Sequence, residues 1–329
     1  MTSRNRFPIL WAAALSLAVL AGGSTACSRG PRIKLDPESN SFFEKTRVLM
    51  TDEEARIFRG IPDRQARDEY IADFWRMRDP DPQTPKNEAK IEFEERAAFA
   101  NKWFSRFDPL RGRDVEGKSH PENGCSSSRG QVYVLLGPPD EMSLFSSDLS
   151  EGDHRIPWFR KITDENDFAG ETWHYKKLRL SVYFEKTTAG RWDLSPSGQV
   201  VEKIDRARAW LLEDHYFGAS TKPLAFQARY KNKAFQLEIP AGGVSFDGER
   251  KGRLEVSVNV YWDGKKVGEL RETKQVDRPA EDEGENGTVS IEIPYDPGVK
   301  GRYSFEVKVE DPQASRFSKA RALVSEKIR

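Results

Sequence analysis

The chain has 329 residues and carries 53 basic and 53 acidic side chains, so its formal net charge is zero. This even balance lacks the excess of basic residues typical of nucleic-acid-binding proteins, and no nucleic acid is expected as a partner. Only two cysteines are present, too few for a disulfide framework, so stability must come from a hydrophobic core. A chain of this length predicts about two domains of roughly 150 residues each.

Residues 1–27 are predicted to form an export signal that ends in a lipidated cysteine. Arg4 and Arg6 precede an apolar run, Ile9 to Leu20, and small residues lead from there to Cys27. The run is too short to span a bilayer and has the flanks of a secretory signal. Because Cys27 directly follows Ser24-Thr25-Ala26, the segment resembles a bacterial lipobox, although Ser24 replaces the usual Leu. An ordinary cleaved signal with a chance cysteine is the alternative.

Lipidation of Cys27 would attach the protein to a membrane, because several acyl chains together give stable anchoring. Ser28 follows the cysteine in place of the Asp that favours inner-membrane retention in some bacteria, so the outer membrane, facing the periplasm, is the expected location. Residues 28–41 are polar and are predicted to form a tether.

Residues from Phe42 to about Phe107 are predicted to be helical. Thr51 and Glu54 match a capping box, and Asp63 is a suitable cap for the next helix. Thr84-Pro85 is interpreted as the start of a third helix, with Pro at its first position. That helix has an apolar stripe at spacings of three and four residues, formed by Phe93, Ala97, Ala100, Phe104 and Phe107.

The pattern then changes to short apolar segments separated by turn residues. Val132–Leu136 is predicted to be a buried strand. Leu178–Phe184 alternates and is predicted to form a hairpin with the following "RWDLSP". Ile204–Leu212 is interpreted as one more helix. After Pro223 six or seven alternating strands follow, with a hairpin turn at Asp263-Gly264.

The expected fold class is α+β. In residues 42–222 a helical N-terminal layer packs on a small mixed β-sheet, and in residues 223–329 an immunoglobulin-like β-sandwich follows. Within the second part the segment "DRPAEDEGENG" is too polar to bury and is predicted to be a mobile loop.

The segment from "MTDEEARIFRGIPDRQARDEYIADFWRMRDPDPQTP" through "RGQVYVLLGPPDE" resembles the bacterial GWxTD domain family. The resemblance covers roughly Phe42 to Glu141, and it implies an exported lipoprotein of this architecture. The family's naming motif falls on Gly124–Ser128, where Cys125 replaces Trp, Ser127 replaces Thr and Ser128 replaces Asp. The family has no established activity, so the resemblance implies no mechanism.

The strongest candidate for a binding site is the turn after the predicted buried strand. Its glycine and two prolines stiffen the chain, and two carboxylates follow directly. Loops at strand ends often carry binding residues, although a purely architectural joint between two layers is the simpler interpretation. The candidate binding residues are Gly137, Pro138, Pro139, Asp140 and Glu141.

No coherent catalytic or metal-binding constellation is present in the sequence, so no catalytic residue, metal or cofactor is expected. Cys125 with His120 nearby could be a nucleophile and base, but Cys125 lacks the cationic surroundings that lower a thiol pKa. The four histidines are scattered without ligand spacing. Six aromatic residues could line a groove for glycan or peptide or simply fill the core: Trp158, Phe159, Trp173, Tyr175, Tyr183 and Trp192.

Two functional hypotheses follow from these observations. The first is a non-catalytic binding or scaffold lipoprotein of the cell envelope, whose partner is an envelope protein or cell-wall glycan. The second is a hydrolase of envelope polymers that uses the acids Asp140, Glu141 and Asp193 with His174 as base.

Overall fold

The computed structural model describes residues 33–104, 124–146, 154–156, 168–186, 192–194, 204, 224–280 and 287–328. The predicted signal, Cys27 and the start of the tether lie outside these residues. So do all but the first residue of the predicted Ile204–Leu212 helix and most of the predicted polar loop. From Ile33 onward the chain forms one compact unit. None of its described helices is both long enough and apolar enough to cross a membrane.

Five α-helices are described, and the first two predicted caps are confirmed. Thr51 Oγ1 accepts a hydrogen bond from the Glu54 backbone N–H at 3.1 Å, and Glu54 accepts one in return from the Thr51 N–H at 2.8 Å. Asp63 accepts from the Ala66 N–H at 2.9 Å. The helices are α1 (Pro37–Thr46), α2 (Asp52–Gly60), α3 (Arg64–Met77), α4 (Glu88–Trp103) and α5 (Ser128–Leu136).

The predicted tether is wrong in its last residues, because α1 begins inside it. Asp36 accepts a hydrogen bond from the Ser39 N–H at 2.9 Å, and Pro37 occupies the first helical position. An acidic cap followed by Pro is a strong start signal. The buried Arg67 then binds Asp36 at 2.8 Å and fastens α1 to α3.

The predicted start of α4 at Thr84-Pro85 is also wrong. Asn87 is the cap, since its side-chain oxygen accepts from the Lys90 N–H at 2.8 Å. Its amide nitrogen donates to the Trp75 carbonyl at 2.6 Å and ties the start of α4 to the end of α3. The Thr84 hydroxyl instead donates within the loop, to Lys86 O at 2.8 Å.

The apolar run Val132–Leu136 is the second half of α5 and not the predicted strand. Ser127 caps the helix by accepting from the Gly130 N–H at 3.1 Å, and Gly137, with φ of 76°, ends it. A run of five apolar residues fits either element, so the caps decide. At Gly130 a Cβ atom would lie 1.7 Å from the Gly124 carbonyl oxygen, so only glycine fits there.

The first sheet has five strands in the order β2-β1-β3-β4-β5. All its pairings are antiparallel, so the prediction of a mixed sheet is wrong. Strands that a short turn connects pair in the antiparallel direction. The predicted hairpin of β4 with "RWDLSP" is confirmed. The strands are β1 (Glu141–Ser146), β2 (His154–Ile156), β3 (Phe168–Tyr175), β4 (Leu180–Lys186) and β5 (Trp192–Leu194).

The helices and this sheet share one hydrophobic core. The predicted stripe of α4 is confirmed as core, with Phe93, Ala97, Ala100 and Phe104 all buried, while Phe107 lies outside the described residues. Trp173 of β3 is 1% exposed and contacts Phe104 with 5.5 Å between ring centroids.

Seven further strands follow Pro223, in agreement with the predicted six or seven. They form two antiparallel sheets, in the orders β10-β7-β6 and β12-β11-β8-β9, which enclose a second core. The hairpin turn at Asp263-Gly264 is confirmed, with φ of 46° and 80°. The strands are β6 (Gln227–Lys231), β7 (Ala234–Pro240), β8 (Lys251–Trp262), β9 (Lys265–Asp277), β10 (Thr288–Pro294), β11 (Gly301–Glu310) and β12 (Lys319–Ile328).

The helical layer also packs on the outer face of the four-stranded sheet. Leu323 of β12 packs so closely on Gly60, the last residue of α2, that a Cβ atom on Gly60 would lie 2.5 Å from it. Alongside, α3 meets the polar residues of β11 and β12. Because α2 and α3 contact both the first core and this sheet, they join the two halves of the fold.

Candidate binding site

The predicted turn, Gly137 to Glu141, joins α5 to β1, and its polar groups bind the neighbouring strand. The Tyr175 hydroxyl donates to the Gly137 carbonyl at 3.0 Å. Asp140 accepts from the Lys176 N–H at 2.7 Å, and Glu141 forms an ion pair of 2.5 Å with the Lys176 ammonium. This geometry supports the architectural interpretation of the turn, since its carboxylates are engaged by the protein itself.

His174 lies directly opposite Glu141 in the pairing of β3 with β1. Its ring nitrogens are 3.1 Å from the Ser143 hydroxyl and 2.9 Å from the Ser181 hydroxyl. Ser143 is only 1% exposed, so a substrate cannot reach its hydroxyl. The structure therefore brings Asp140, Glu141 and His174 to one end of the sheet, where the exposed hydroxyl beside the imidazole is that of Ser181.

Asp193, the fourth residue of the hydrolase hypothesis, lies elsewhere in the sheet. It is on β5, opposite Glu185, and both β3 and β4 separate β5 from β1. Neighbouring strands lie about 4.8 Å apart, so Asp193 is far beyond hydrogen-bonding reach of Glu141. The four predicted catalytic groups do not form one constellation.

Cys125 is buried between α4 and the start of α5. It is 2% exposed, and its thiol donates to the Asn101 side-chain oxygen at 2.9 Å. Burial raises the pKa of this thiol, which disfavours the thiolate that nucleophilic chemistry requires. Cys125 therefore acts as a packed hydrogen-bond donor, while His120 lies outside the described residues.

Of the six aromatic residues that could line a groove or fill the core, three of the four described are core. Trp173, Tyr175 and Trp192 are all buried, and Tyr183 is half-buried. Trp158 and Phe159 fall outside the described residues. In the described ranges, no group of three or more His, Cys, Asp or Glu side chains could hold a metal ion.

A cavity that the sequence did not predict lies between the α2–α3 helices and the start of β12. Its volume is 480 Å³. The walls are mostly apolar, because both halves of the fold contribute hydrophobic side chains there. The apolar side chains are Ile57 and Met77 from the helices, and Leu224, the exposed Ala225, Phe226 and Phe317 from the segments flanking the C-terminal sheets. We call this space the interlayer cavity.

One side of the interlayer cavity is held by a buried ion pair. Arg78 is fully buried and contacts both carboxylate oxygens of Glu54 at 2.9 Å. The same guanidinium donates to the Leu49 carbonyl at 3.2 Å and lies 3.7 Å from the centre of the Phe74 ring. Glu54 also completes the α2 capping box, so both charges on this side are paired, although the Arg78 Nε–H has no hydrogen-bond partner in the described part of the chain.

The other side of the cavity carries a cluster of six charged residues, which we call the interlayer charge cluster. Three acids and three bases contribute, so the cluster is balanced. Glu69 binds Lys308 at 3.0 Å and Lys319 at 2.9 Å. Arg321 pairs with Asp73 and with Glu306, and Glu306 is completely buried.

The interlayer charge cluster shifts the pKa of three of its members, Glu69, Lys319 and Arg321. Burial alone would raise the pKa of Glu69, but hydrogen bonds from Lys319 and Lys308 outweigh it and lower the pKa to about 2. The acids likewise raise the pKa of Lys319 and of Arg321 against the effect of burial. Glu69, Lys319 and Arg321 are thereby held in their charged forms.

A sequence signal for the cluster exists, although it is visible only in retrospect. Glu69 and Asp73 are four residues apart and share one face of α3. Lys319 and Arg321 alternate with apolar residues along β12 and so share one face of a strand. Opposite charges on one face of a helix and one face of a strand indicate a polar contact between layers. Nothing in the sequence, however, shows that α3 packs against β12.

The comparisons with known proteins add no relative: no family model matches the chain, and no curated protein matches it in sequence. The functional argument therefore depends on the residues and the geometry described above.

Proposed function

We propose that this protein is a cell-envelope lipoprotein that acts by binding, as a scaffold or adaptor, and not by catalysis. In this proposal Cys27 carries the lipid anchor, and the body faces the periplasm from the outer membrane. The chain is a GWxTD-like protein in this view, and its two C-terminal sheets form an immunoglobulin-like sandwich. The shared core of the two sheets supports that last assignment.

The observation that carries the binding function is the interlayer cavity. Its apolar walls can accept a hydrophobic group, whereas the charged groups beside it are already paired with one another. A glycan requires many hydrogen-bonding groups, and a site with paired charges offers few. A protein partner that inserts an apolar side chain fits this chemistry better, because apolar burial is the main source of its affinity.

The alternative of an envelope-polymer hydrolase has weaker support. Asp140 and Glu141 are bound to Lys176, and His174 lies between two serine hydroxyls. A general base must reach the proton that it removes, and Asp193 is too distant to complete the set.

A photo-crosslinking amino acid at Phe226, on the cavity wall, tests the binding function in intact cells. We expect one discrete envelope protein to be captured. The second substitution Ala225→Trp, which fills the mouth of the cavity, should abolish the capture. The same crosslinker at Gln236, which is exposed on the three-stranded sheet, is the matched control. Equal capture from both positions, or capture that survives Ala225→Trp, would contradict the proposal.

The lipid anchor has its own test, which does not depend on the cavity. The mass of the N-terminal peptide should show acyl chains on Cys27, and Cys27→Ser should release the protein from the membrane fraction. An unmodified peptide would remove the anchor from the proposal and leave the binding function to the crosslinking experiment.

A further inference from the structure

Exposed hydrophobic side chains are concentrated at one end of the four-stranded sheet. Four large hydrophobic residues are exposed in the described part of the chain, and three of them are at this end. Trp262 is 41% exposed, Val267 is 53% exposed and Val299 is 55% exposed. The fourth, Ile91, is on α4. Scattered exposed hydrophobics are ordinary, but a group of them marks an interaction surface.

Three connections of the C-terminal sheets meet at this end. The indole of Trp262 lies across Gly301, where a Cβ atom would be 2.2 Å from its nitrogen. The Asp263 N–H donates to the Arg302 carbonyl at 3.3 Å and links the β8–β9 turn to β11. The Tyr295 N–H donates to the Lys233 carbonyl at 2.8 Å and links the β10–β11 connection to the β6–β7 turn.

The same end is strongly basic, although the whole chain is neutral. Asp296 is paired with Lys233, and Glu269 with Lys266. Among the described residues, no ion pair involves Lys265, Lys300 or Arg302. Seven exposed basic residues stand against four exposed acids, and we call this surface the basic tip: Lys231, Lys233, Lys265, Lys266, Lys300, Arg302 and Lys327, with Asp263, Glu269, Asp296 and Glu326.

The first and third helices also begin toward this end. Asp63, at the start of α3, is close enough to Tyr261 to raise the pKa of its hydroxyl, after the larger effects of burial and Glu306. Asp36, at the start of α1, binds Arg67 one turn into α3. The other end of α3 is at the far end of the sheet, because Arg316 donates to the Asp79 carbonyl there. The start of α1 and the basic tip therefore lie toward the same end.

We propose that the basic tip docks on an anionic lipid surface. Trp is favoured at the membrane–water interface, and Lys and Arg side chains are attracted to anionic headgroups. This orientation rests on the proposed lipid on Cys27, which is nine residues before Asp36. Nine extended residues reach at most about 30 Å, so the anchored chain keeps this end near the bilayer.

The test uses the mature lipidated protein with a polarity-sensitive dye on Val267→Cys. Cys125 is buried, so the dye reacts at the surface position. The matched control is Ser315→Cys, an exposed turn residue at the opposite end of the sheet. Each protein is reconstituted in vesicles of phosphatidylcholine alone and in vesicles with one-third phosphatidylglycerol. We expect a blue shift at position 267 only in the anionic vesicles, and none at position 315.

Charge variants separate docking on headgroups from non-specific contact. Each basic residue near an anionic surface changes the ratio of docked to undocked tips about fivefold. The double variant Lys265→Glu/Lys300→Glu should therefore lower that ratio by about 25-fold or more. The control Lys251→Glu/Arg253→Glu, at the opposite end, should leave the shift intact.

Three results would overturn the proposal: an aqueous dye signal at position 267 in anionic vesicles, an equal shift in neutral vesicles, or a shift that survives Lys265→Glu/Lys300→Glu. The mass of the N-terminal peptide first reports whether Cys27 carries lipid, and the dye then reports docking of the lipidated protein. A result against docking of the basic tip can therefore be distinguished from a result against lipidation of Cys27.

Discussion

Glu69 of α3 and Lys308 of β11 are 239 residues apart in the sequence, yet their charged atoms are 3.0 Å apart in the structure. This contact belongs to the interlayer charge cluster, which holds α3 on the outer face of the four-stranded sheet. The two halves of the chain are therefore joined by buried charges beside the apolar contact of Gly60 with Leu323. Buried charges restrict how α3 can lie on the sheet, because each charge needs a partner of opposite sign at a defined position.

Removal of one base from the cluster should be strongly destabilising. Arg321→Met leaves the completely buried Glu306 without its cation and leaves Asp73 with Lys319 alone. Breaking a buried ion pair from one side typically costs about 3–5 kcal/mol. Urea unfolding should show this loss. The control Arg253→Met removes an exposed pair with Glu255 and should cost less than about 1 kcal/mol. Equal losses would show that Arg321 is not energetically coupled to the acids.

Acid should weaken the same joint in a defined pH range. The pKa of Glu69 is lowered from 4.5 to about 2 in the folded protein. Its contribution to stability is therefore complete above pH 4.5 and is lost as the pH falls toward 2. Because the side chain is 38% exposed, solvent screening reduces the contribution to about 1–2 kcal/mol.

The measurement is the free energy of unfolding from pH 6 to pH 2 for the native chain and for Glu69→Gln. The native chain should lose more stability across this range than the variant, which lacks the titrating carboxyl. Parallel curves would contradict the assignment of the low pKa to Glu69.

Gly130→Ala should destabilise the fold by about 3 kcal/mol, because steric overlap in a packed interior costs this much. The added methyl group would meet the Gly124 carbonyl oxygen at 1.7 Å, and backbone must move to admit it. Gly248→Ala is the matched control, because a Cβ atom there meets nothing within 4 Å. Thermal unfolding of both variants compares them directly; similar midpoints would refute the close approach at Gly130.

Asn87→Ala should cost about 1–2 kcal/mol, as the loss of a helix cap usually does. The variant also loses the hydrogen bond to the Trp75 carbonyl. Thr84→Ala, at the cap suggested by the sequence, should change stability by less than about 0.5 kcal/mol, because Thr84 is on the surface. Urea titration of the two variants identifies the cap, and a larger loss for Thr84→Ala would restore the sequence-based assignment.

Local signals predicted local structure well in this chain. The capping box at Thr51, the cap at Asp63 and the turn at Asp263-Gly264 each need only a few neighbouring residues. The start of α4 was misplaced because Thr84-Pro85 and Asn87 are competing signals, and contact with Trp75 favours Asn87. The run Val132–Leu136 was misassigned because a fully buried helix turn and a buried strand have the same apolar composition.

The candidate site was less predictable, for a different reason. The interlayer cavity is formed by residues from the start of α2 to the start of β12, and no local pattern links them. Asp140 and Glu141 were conspicuous in the sequence, yet their carboxylates bind Lys176. Conversely, Glu69 and Asp73 looked like ordinary surface charges of a helix, and only the tertiary structure shows which strand covers them.

The position of β12 has a consequence for how the chain matures. Lys319, Arg321 and Leu323 belong to the last strand, and the helices that they stabilise are near the start of the chain. Until the last strand has been synthesised, the acids of α3 have no cation from β12 to pair with. A chain that stops short of the last strand would keep the contact of Glu69 with Lys308 of β11, but it would leave Asp73 without Lys319 and Arg321.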